Sequence, residues 1–214
     1  MDATLELYAA PTGNCLRAVM ALEEAGIAYT LKSVDLQAGA HKRSPYTDLN
    51  PAGLVPTAVV HGSDGGRLVL TQSNAIILYA AAEAPRKLLP EAEGQARAVV
   101  LDRFFFFVTD VIVPSGAGFF LKRQGQEDAA GMLDQRVLEA LAGAERFAQQ
   151  SRFIAGENFS IADIAGFTFT RFAQARLPWA ALPNLKRWFE DVETRPGVQR
   201  AYQRLGMSSS GGVV

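Results

Sequence analysis

Leu5-Glu6-Leu7-Tyr8-Ala9-Ala10-Pro11-Thr12-Gly13-Asn14-Cys15-Leu16-Arg17-Ala18 reads as a strand, a tight turn and the opening of a helix. Leu5, Leu7 and Ala9 alternate with Glu6 and Tyr8, as a strand buried on one face requires, and Pro11 through Asn14 carry turn chemistry. Leu16, Val19, Met20 and Leu22 then recur at helical spacing until Gly26 stops the run. A turn that feeds a helix presents N–H groups with no partner inside the helix and the positive end of its dipole, where an anion such as a thiolate is stabilised. Cys15, the only cysteine of the chain, stands at that end beside Asn14.

Working outward, residues 27–35 read as a second strand, giving a strand-helix-strand unit whose strands are parallel. Residues 37–48, with His41, Lys42 and Arg43, have the composition of a solvated loop or short helix. Asn50-Pro51-Ala52-Gly53-Leu54-Val55-Pro56 leads into a β-branched strand at 57–60. Pro56 lacks an N–H and suits a strand's entry, and X-Pro bonds are where cis peptides occur. The turn at 61–66 joins that strand to 67–71 as a hairpin, and Gln72-Ser73-Asn74 opens a helix over 75–83 with Ser73 as its N-cap.

Pro85 and Pro90 mark residues 84–92 as a linker, beyond which no strand pattern occurs. Helical spacing covers 95–122, with a bend expected at Pro114-Ser115-Gly116, then 132–149, 185–193 and 197–204. Ser160-Ile161-Ala162-Asp163 has the spacing of a capping box, which gives both side chains a structural role. The division is therefore a small α/β domain at 1–83, a linker at 84–92 and an all-helical domain at 93–214, with a Gly/Ser-rich tail at 208–214 expected to fray.

The 214 residues suffice for a large hydrophobic core, and a net charge of −1 gives no electrostatic case for nucleic acid or a membrane surface as partner. One cysteine makes no internal disulfide and residues 1–4 lack the features of a targeting signal, so the expected compartment is the cytoplasm. The apolar run at 104–113 is interrupted by Thr109 and Asp110 and stopped by Pro114, too short to span a bilayer. Phe104 through Phe107 cover every face of a helix, so core is the default for these rings, with one or two lining a pocket, and Trp179 and Trp188 read as core.

Three separated signatures make the chain resemble the cytosolic glutathione transferases along essentially its whole length. They are Leu7-Tyr8-Ala9-Ala10-Pro11-Thr12-Gly13-Asn14 with Ala21-Leu22-Glu23-Glu24-Ala25-Gly26, Asn50-Pro51-Ala52-Gly53-Leu54-Val55-Pro56 with Leu70-Thr71-Gln72-Ser73-Asn74, and Phe159-Ser160-Ile161-Ala162-Asp163-Ile164-Ala165. The resemblance implies an α/β thioredoxin-like N-terminal domain, an all-α C-terminal domain, glutathione as co-substrate without a metal, and a homodimer. It also implies that the backbone of Val55, held by a cis Pro56, pairs with the cysteinyl part of glutathione, and that Gln72 and Ser73 take the γ-glutamyl carboxylate. The glycyl carboxylate needs a cation from the 37–48 loop, with Lys42, His41 and Arg43 as candidates.

The group that handles the thiol is expected in the opening turn. The turn resembles that of the bacterial nu-class and yeast-prion-related group, in which a threonine and an asparagine line the sulfur site. Gly13 and Cys15 depart from that pattern, and Cys15 falls where the beta class carries its cysteine. The candidates are Thr12, Asn14 and Cys15, the first two favoured; Cys15 reads either as a small buried helix residue or as a low-pKa thiolate. The function implied is attack of an activated glutathione thiol on a hydrophobic electrophile. The other readings are reduction of small disulfides and a glutathione-binding module without turnover.

Overall fold

A computed structural model describes residues 4–90 and 94–208, so the Gly/Ser-rich tail beyond Ser208, and with it the expected fraying, lies outside the described residues. Among the described residues, those up to Leu88 together with 196–208 form one compact unit, and those between Leu89 and Arg195 form the other.

The first unit is a four-stranded sheet of order β2-β1-β3-β4, made of β1 (Thr4–Ala9), β2 (Thr30–Ser33), β3 (Thr57–His61) and β4 (Arg67–Leu70). β1 and β2 run parallel, while β3 is antiparallel to both β1 and β4. Leu5, Leu7 and Ala9 are buried as their alternation requires. α1 (Gly13–Ala25) ends at Gly26, whose φ of +75 is the left-handed cap that a glycine supplies without strain. The 27–35 strand is shorter than its apolar pattern suggests, and the following loop holds a 3-10 turn at Ala40–Lys42 and a four-residue α2 (Tyr46–Leu49). α3 (Ser73–Glu83) completes the α/β part.

The final helix, α10 (Pro196–Leu205), packs on α1 within this unit rather than with the helical residues to which its place in the sequence assigns it. Val198, Ala201, Tyr202 and Leu205 are buried, and Arg200 Nε lies 2.7 Å from Glu23 Oε2. Gly197 comes so close to Glu24 that a Cβ there would sit 2.6 Å from its carboxylate oxygen.

The second unit is helical: α4 (Gln95–Phe106), α5 (Val113–Arg123), α6 (Glu127–Gly143), α7 (Glu145–Ala148), α8 (Ile161–Ala173) and α9 (Pro183–Glu193). α4 and α5 are one continuous helix whose irregularity is a π-helical turn at Phe107–Ile112, ahead of Pro114 rather than at it. Pro114 has no N–H to continue the ladder, and the wider turn before it accommodates that gap. The apolar run at 104–113 lies inside this helix, and Gln95–Arg123 as a whole is long and apolar enough to cross a bilayer by length and composition only. Phe104 and Phe107 are core, the tip of the Phe107 ring lying so close to Gly166 that a Cβ there would sit 2.7 Å from its Cζ, whereas Phe105, Phe119 and Phe120 are exposed.

The capping box at α8 forms. Ala162 N–H donates to Ser160 Oγ at 3.2 Å and Ser160 N–H to Asp163 Oδ2 at 2.8 Å. Asp163 Oδ1 also accepts from Ile154 N–H and from the indole of the fully buried Trp188.

Candidate functional site

Strand register alone assembles the candidate residues. Tyr8 near the end of β1 pairs with Thr57 at the start of β3, Leu70 at the end of β4 pairs with Ala58, and Ser33 at the end of β2 pairs with Ala9. The turn after β1, the residues entering β3, the start of α3 and the loop after β2 therefore all leave the sheet at one end. That end carries Thr12, Asn14 and Cys15, Val55 and Pro56, Gln72 and Ser73, and, in the loop, Lys42.

At the start of α1, Thr12 is the extended N-cap residue, and its Oγ1 accepts the Cys15 N–H at 3.3 Å. A hydroxyl that accepts keeps its own proton for another partner. Asn14 Oδ1 accepts from Arg17 Nη2 at 2.8 Å. A guanidinium offers donors only, so the amide must turn its oxygen to Arg17, and its two N–H donors point elsewhere. Arg17 is only 3% exposed. Burial pulls its guanidinium down to about 10, with the neighbouring Cys15 acting in the opposite sense, so it stays cationic at neutral pH.

Cys15 is fully buried, with its Sγ receiving the Ala10 N–H at 3.4 Å. Burial pushes its thiol up and outweighs the hydrogen bonds from Ala10 and Thr12 and the charge of Arg17. Of the two readings of Cys15, its burial matches the small core residue: the side chain turns into the core, where a charged form loses solvation. The Tyr8 hydroxyl donates to Glu6 Oε2 at 3.3 Å, and its ring stands edge-on to Tyr46.

The strip before β3 is tied down from beneath. The Val55–Pro56 peptide is cis, as the resemblance implies. The Tyr46 hydroxyl donates to the Leu54 carbonyl and also meets Thr57 Oγ1, and Asn50 Nδ2 donates to the same carbonyl at 2.8 Å. Lys42 Nζ reaches across to Ala52 O at 3.2 Å. Gly53, at φ +57, lets the chain pass: a Cβ there would sit 2.7 Å from the His41 carbonyl and 2.9 Å from the Lys42 side chain. Of the three basic candidates Lys42 lies against this strip, whereas Arg43 turns to the Ala38 carbonyl and the buried Nδ1 of His41 meets no partner among the described residues.

At α3 the expected cap shifts by one residue. Gln72, extended at φ −112 and ψ 126, occupies the N-cap position without a side-chain cap bond, and Ser73 is the buried first helical residue. The ladder opens with Ile76 N–H on the Gln72 carbonyl, which leaves Ser73 inside the first turn rather than ahead of it. Next to it, the buried Oδ1 of Asn74 has no hydrogen-bond partner among the described residues.

Arg17 escapes a reading of the sequence because a lone arginine on a helix ordinarily faces water. Its signal is the three-residue spacing to Asn14, on a helix where Cys15, Leu16, Ala18, Val19 and Met20 are all core.

Residues 13–83 match the family model for the glutathione S-transferase N-terminal domain, and residues 108–196 match that for the C-terminal domain. The disulfide-bond oxidoreductase YfcG of Escherichia coli K12 is 30% identical over 206 residues, spanning 92% of this chain and 94% of that protein. Glutathione S-transferase 3 of Zea mays is 28% identical over 211 residues, spanning 92% and 93%. A glutathione transferase family member from Pseudomonas fluorescens, crystallised with two glutathione bound, superposes with a TM-score of 0.82 at 26% identity, covering 92% of each chain. By both of its halves, the chain belongs to the glutathione S-transferase family.

Proposed function

We propose that the protein is a cytoplasmic, homodimeric glutathione transferase that holds the thiol of bound glutathione as a thiolate at the start of α1, between the Thr12 hydroxyl and the Asn14 amide. The observation that carries this reading is the pair of donors left over there. Thr12 Oγ1 is used as an acceptor and Asn14 Oδ1 is claimed by Arg17, so the Thr12 O–H and the Asn14 N–H2 are left to donate to a ligand at that end of the sheet. Donors aimed at sulfur favour the charged form and lower its pKa, and the helix dipole acts in the same sense. The backbone of Val55 pairs with the cysteinyl unit, Gln72 and Ser73 at the start of α3 take the γ-glutamyl carboxylate, and Lys42 takes the glycyl carboxylate with the N–H donors it does not give to Ala52.

In turnover the thiol releases its proton to solvent and the sulfur attacks the electrophilic carbon. A C–S bond forms as the leaving group departs with its electron pair. YfcG, by its name, favours a second reading on the same site. There the thiolate attacks one sulfur of a small disulfide, the S–S bond breaks to release a thiolate, and a second glutathione resolves the mixed disulfide, so that two glutathiones are oxidised as one disulfide is reduced. Cys15 takes no part in either.

The test is the thiol pKa of bound glutathione, followed by thiolate absorbance, with turnover on a chlorinated dinitrobenzene and on hydroxyethyl disulfide. Thr12→Ala and Asn14→Ala should raise that pKa and lower both activities while Cys15→Ala leaves them in place, and the ratio of the two activities separates the readings. Loss of nearly all turnover in Cys15→Ala, with a glutathione adduct on the wild-type protein alone, would reverse the assignment.

A further inference from the structure

In the strip ahead of β3, the Leu54 carbonyl accepts from two side chains, the Tyr46 hydroxyl and Asn50 Nδ2, the latter at 2.8 Å. Both donors are buried, whereas the Leu54 side chain is 56% exposed, so the strip takes its orientation from the carbonyl rather than from burial of that side chain. We propose that Tyr46 and Asn50 are positioning residues for the thiol substrate: by holding the Leu54 carbonyl inward they turn the Val55 N–H outward, to the cysteinyl carbonyl of glutathione.

The hydrogens of this cluster allow one arrangement. Tyr46 spends its hydroxyl hydrogen on Leu54, so at the 2.9 Å contact between the Tyr46 and Thr57 hydroxyls the threonine is the donor. Thr57 Oγ1 in turn accepts from Asn50 Nδ2 at 3.3 Å, which uses the second amide hydrogen, and Asn50 Oδ1 accepts the Ala52 N–H at 3.2 Å. Burial pushes the Tyr46 phenol up, so it keeps the hydrogen it donates throughout the neutral range. The cluster is closed, and no side-chain donor in it is left for a ligand.

What the cluster delivers is direction. The Leu54–Val55 peptide is trans, so its C=O and N–H point opposite ways, and a carbonyl fixed toward Tyr46 and Asn50 fixes the N–H away from them. That N–H meets no acceptor among the described residues, and Pro56 beside it has no N–H to offer. This role rests on the glutathione reading given above. It differs from that of Thr12 and Asn14, because it acts on affinity for the peptide part of the substrate and leaves the sulfur alone.

The test compares two inhibitors, S-hexylglutathione and S-hexyl-γ-glutamylcysteamine, the second of which lacks the cysteinyl carbonyl, by calorimetric titration of the full chain and of Tyr46→Phe and Asn50→Ala. Each substitution should weaken S-hexylglutathione about fivefold, as for one hydrogen bond lost, and leave the affinity of the shorter ligand where it was. With glutathione as substrate, KM should rise by the same factor while kcat and the thiol pKa of the bound form stay in place. Equal weakening of both ligands, no weakening of either, or a raised thiol pKa would overturn the positioning role, and where Asn50→Ala does not fold, Tyr46→Phe decides alone. If the wild-type protein does not bind S-hexylglutathione, the glutathione reading falls and this assignment falls with it.

Discussion

The helix starts at Thr12 and at Ser160 are built from the same parts and put to opposite ends. At Ser160 the hydroxyl caps Ala162, and the Asp163 carboxylate accepts from Ser160, Ile154 and Trp188, so the cluster is closed on itself in the core. At Thr12 the hydroxyl caps Cys15 and Arg17 claims only the oxygen of Asn14, so donors remain. A cap whose hydrogen bonds are all consumed stabilises a fold, whereas one with donors to spare has something to offer a ligand.

Breaking the closed cap should have the largest effect and should fall on stability alone. Asp163→Ala leaves buried N–H groups of Ile154, Ser160 and Trp188 without an acceptor, at a cost of about 3–5 kcal/mol in urea unfolding, with turnover per folded molecule unchanged. Thr12→Ala should do the reverse. The lost cap costs about 1 kcal/mol of stability, while kcat/KM for glutathione falls about a hundredfold, as for removal of one donor to a developing anion.

Arg17→Met sharpens the contrast from beneath, since it frees the Asn14 amide to rotate. We expect kcat/KM to fall about tenfold and the bound thiol to titrate higher, both partly recovered by Arg17→Lys.

The smallest effect concerns a third start, that of α9, capped from a distance by Glu145. Its carboxylate accepts from Asn184 N–H and Nδ2 and from Leu185 N–H at 2.7–3.1 Å. Burial works to raise this carboxyl, but those donors outweigh it and hold it below the usual range. A depressed folded pKa contributes stability above the unfolded pKa and loses it as pH falls through the folded one. Glu145→Gln should therefore cost about 1 kcal/mol at neutral pH and progressively less in acid, read as unfolding midpoints across a pH series.

Much of the fold was legible because its signals are local. The alternation of Leu5, Leu7 and Ala9, the stop at Gly26, and the Ser160–Asp163 spacing each determine structure within a few residues. What the sequence left open depends on burial or on distant partners. Cys15 lies one residue past an exposed Asn14, and only packing shows that one side chain faces the core and the other solvent. Arg17 is charged yet enclosed, Ser73 is displaced from the cap by the extended Gln72, and the irregular turn falls before Pro114 instead of at it. The placement of α10 could not be read locally either, because the surface it covers was laid down at α1.

That placement bears on how the chain is made. The first unit is interrupted in sequence, with the whole of the second inserted between α3 and α10. A nascent chain leaving the ribosome thus presents α1 with the face that receives Val198, Ala201 and Tyr202 still bare, and must hold it so through synthesis of the whole inserted unit. A fragment cut after α3 would carry every proposed glutathione contact and keep that bare face permanently, so we expect it to be less soluble than the whole chain.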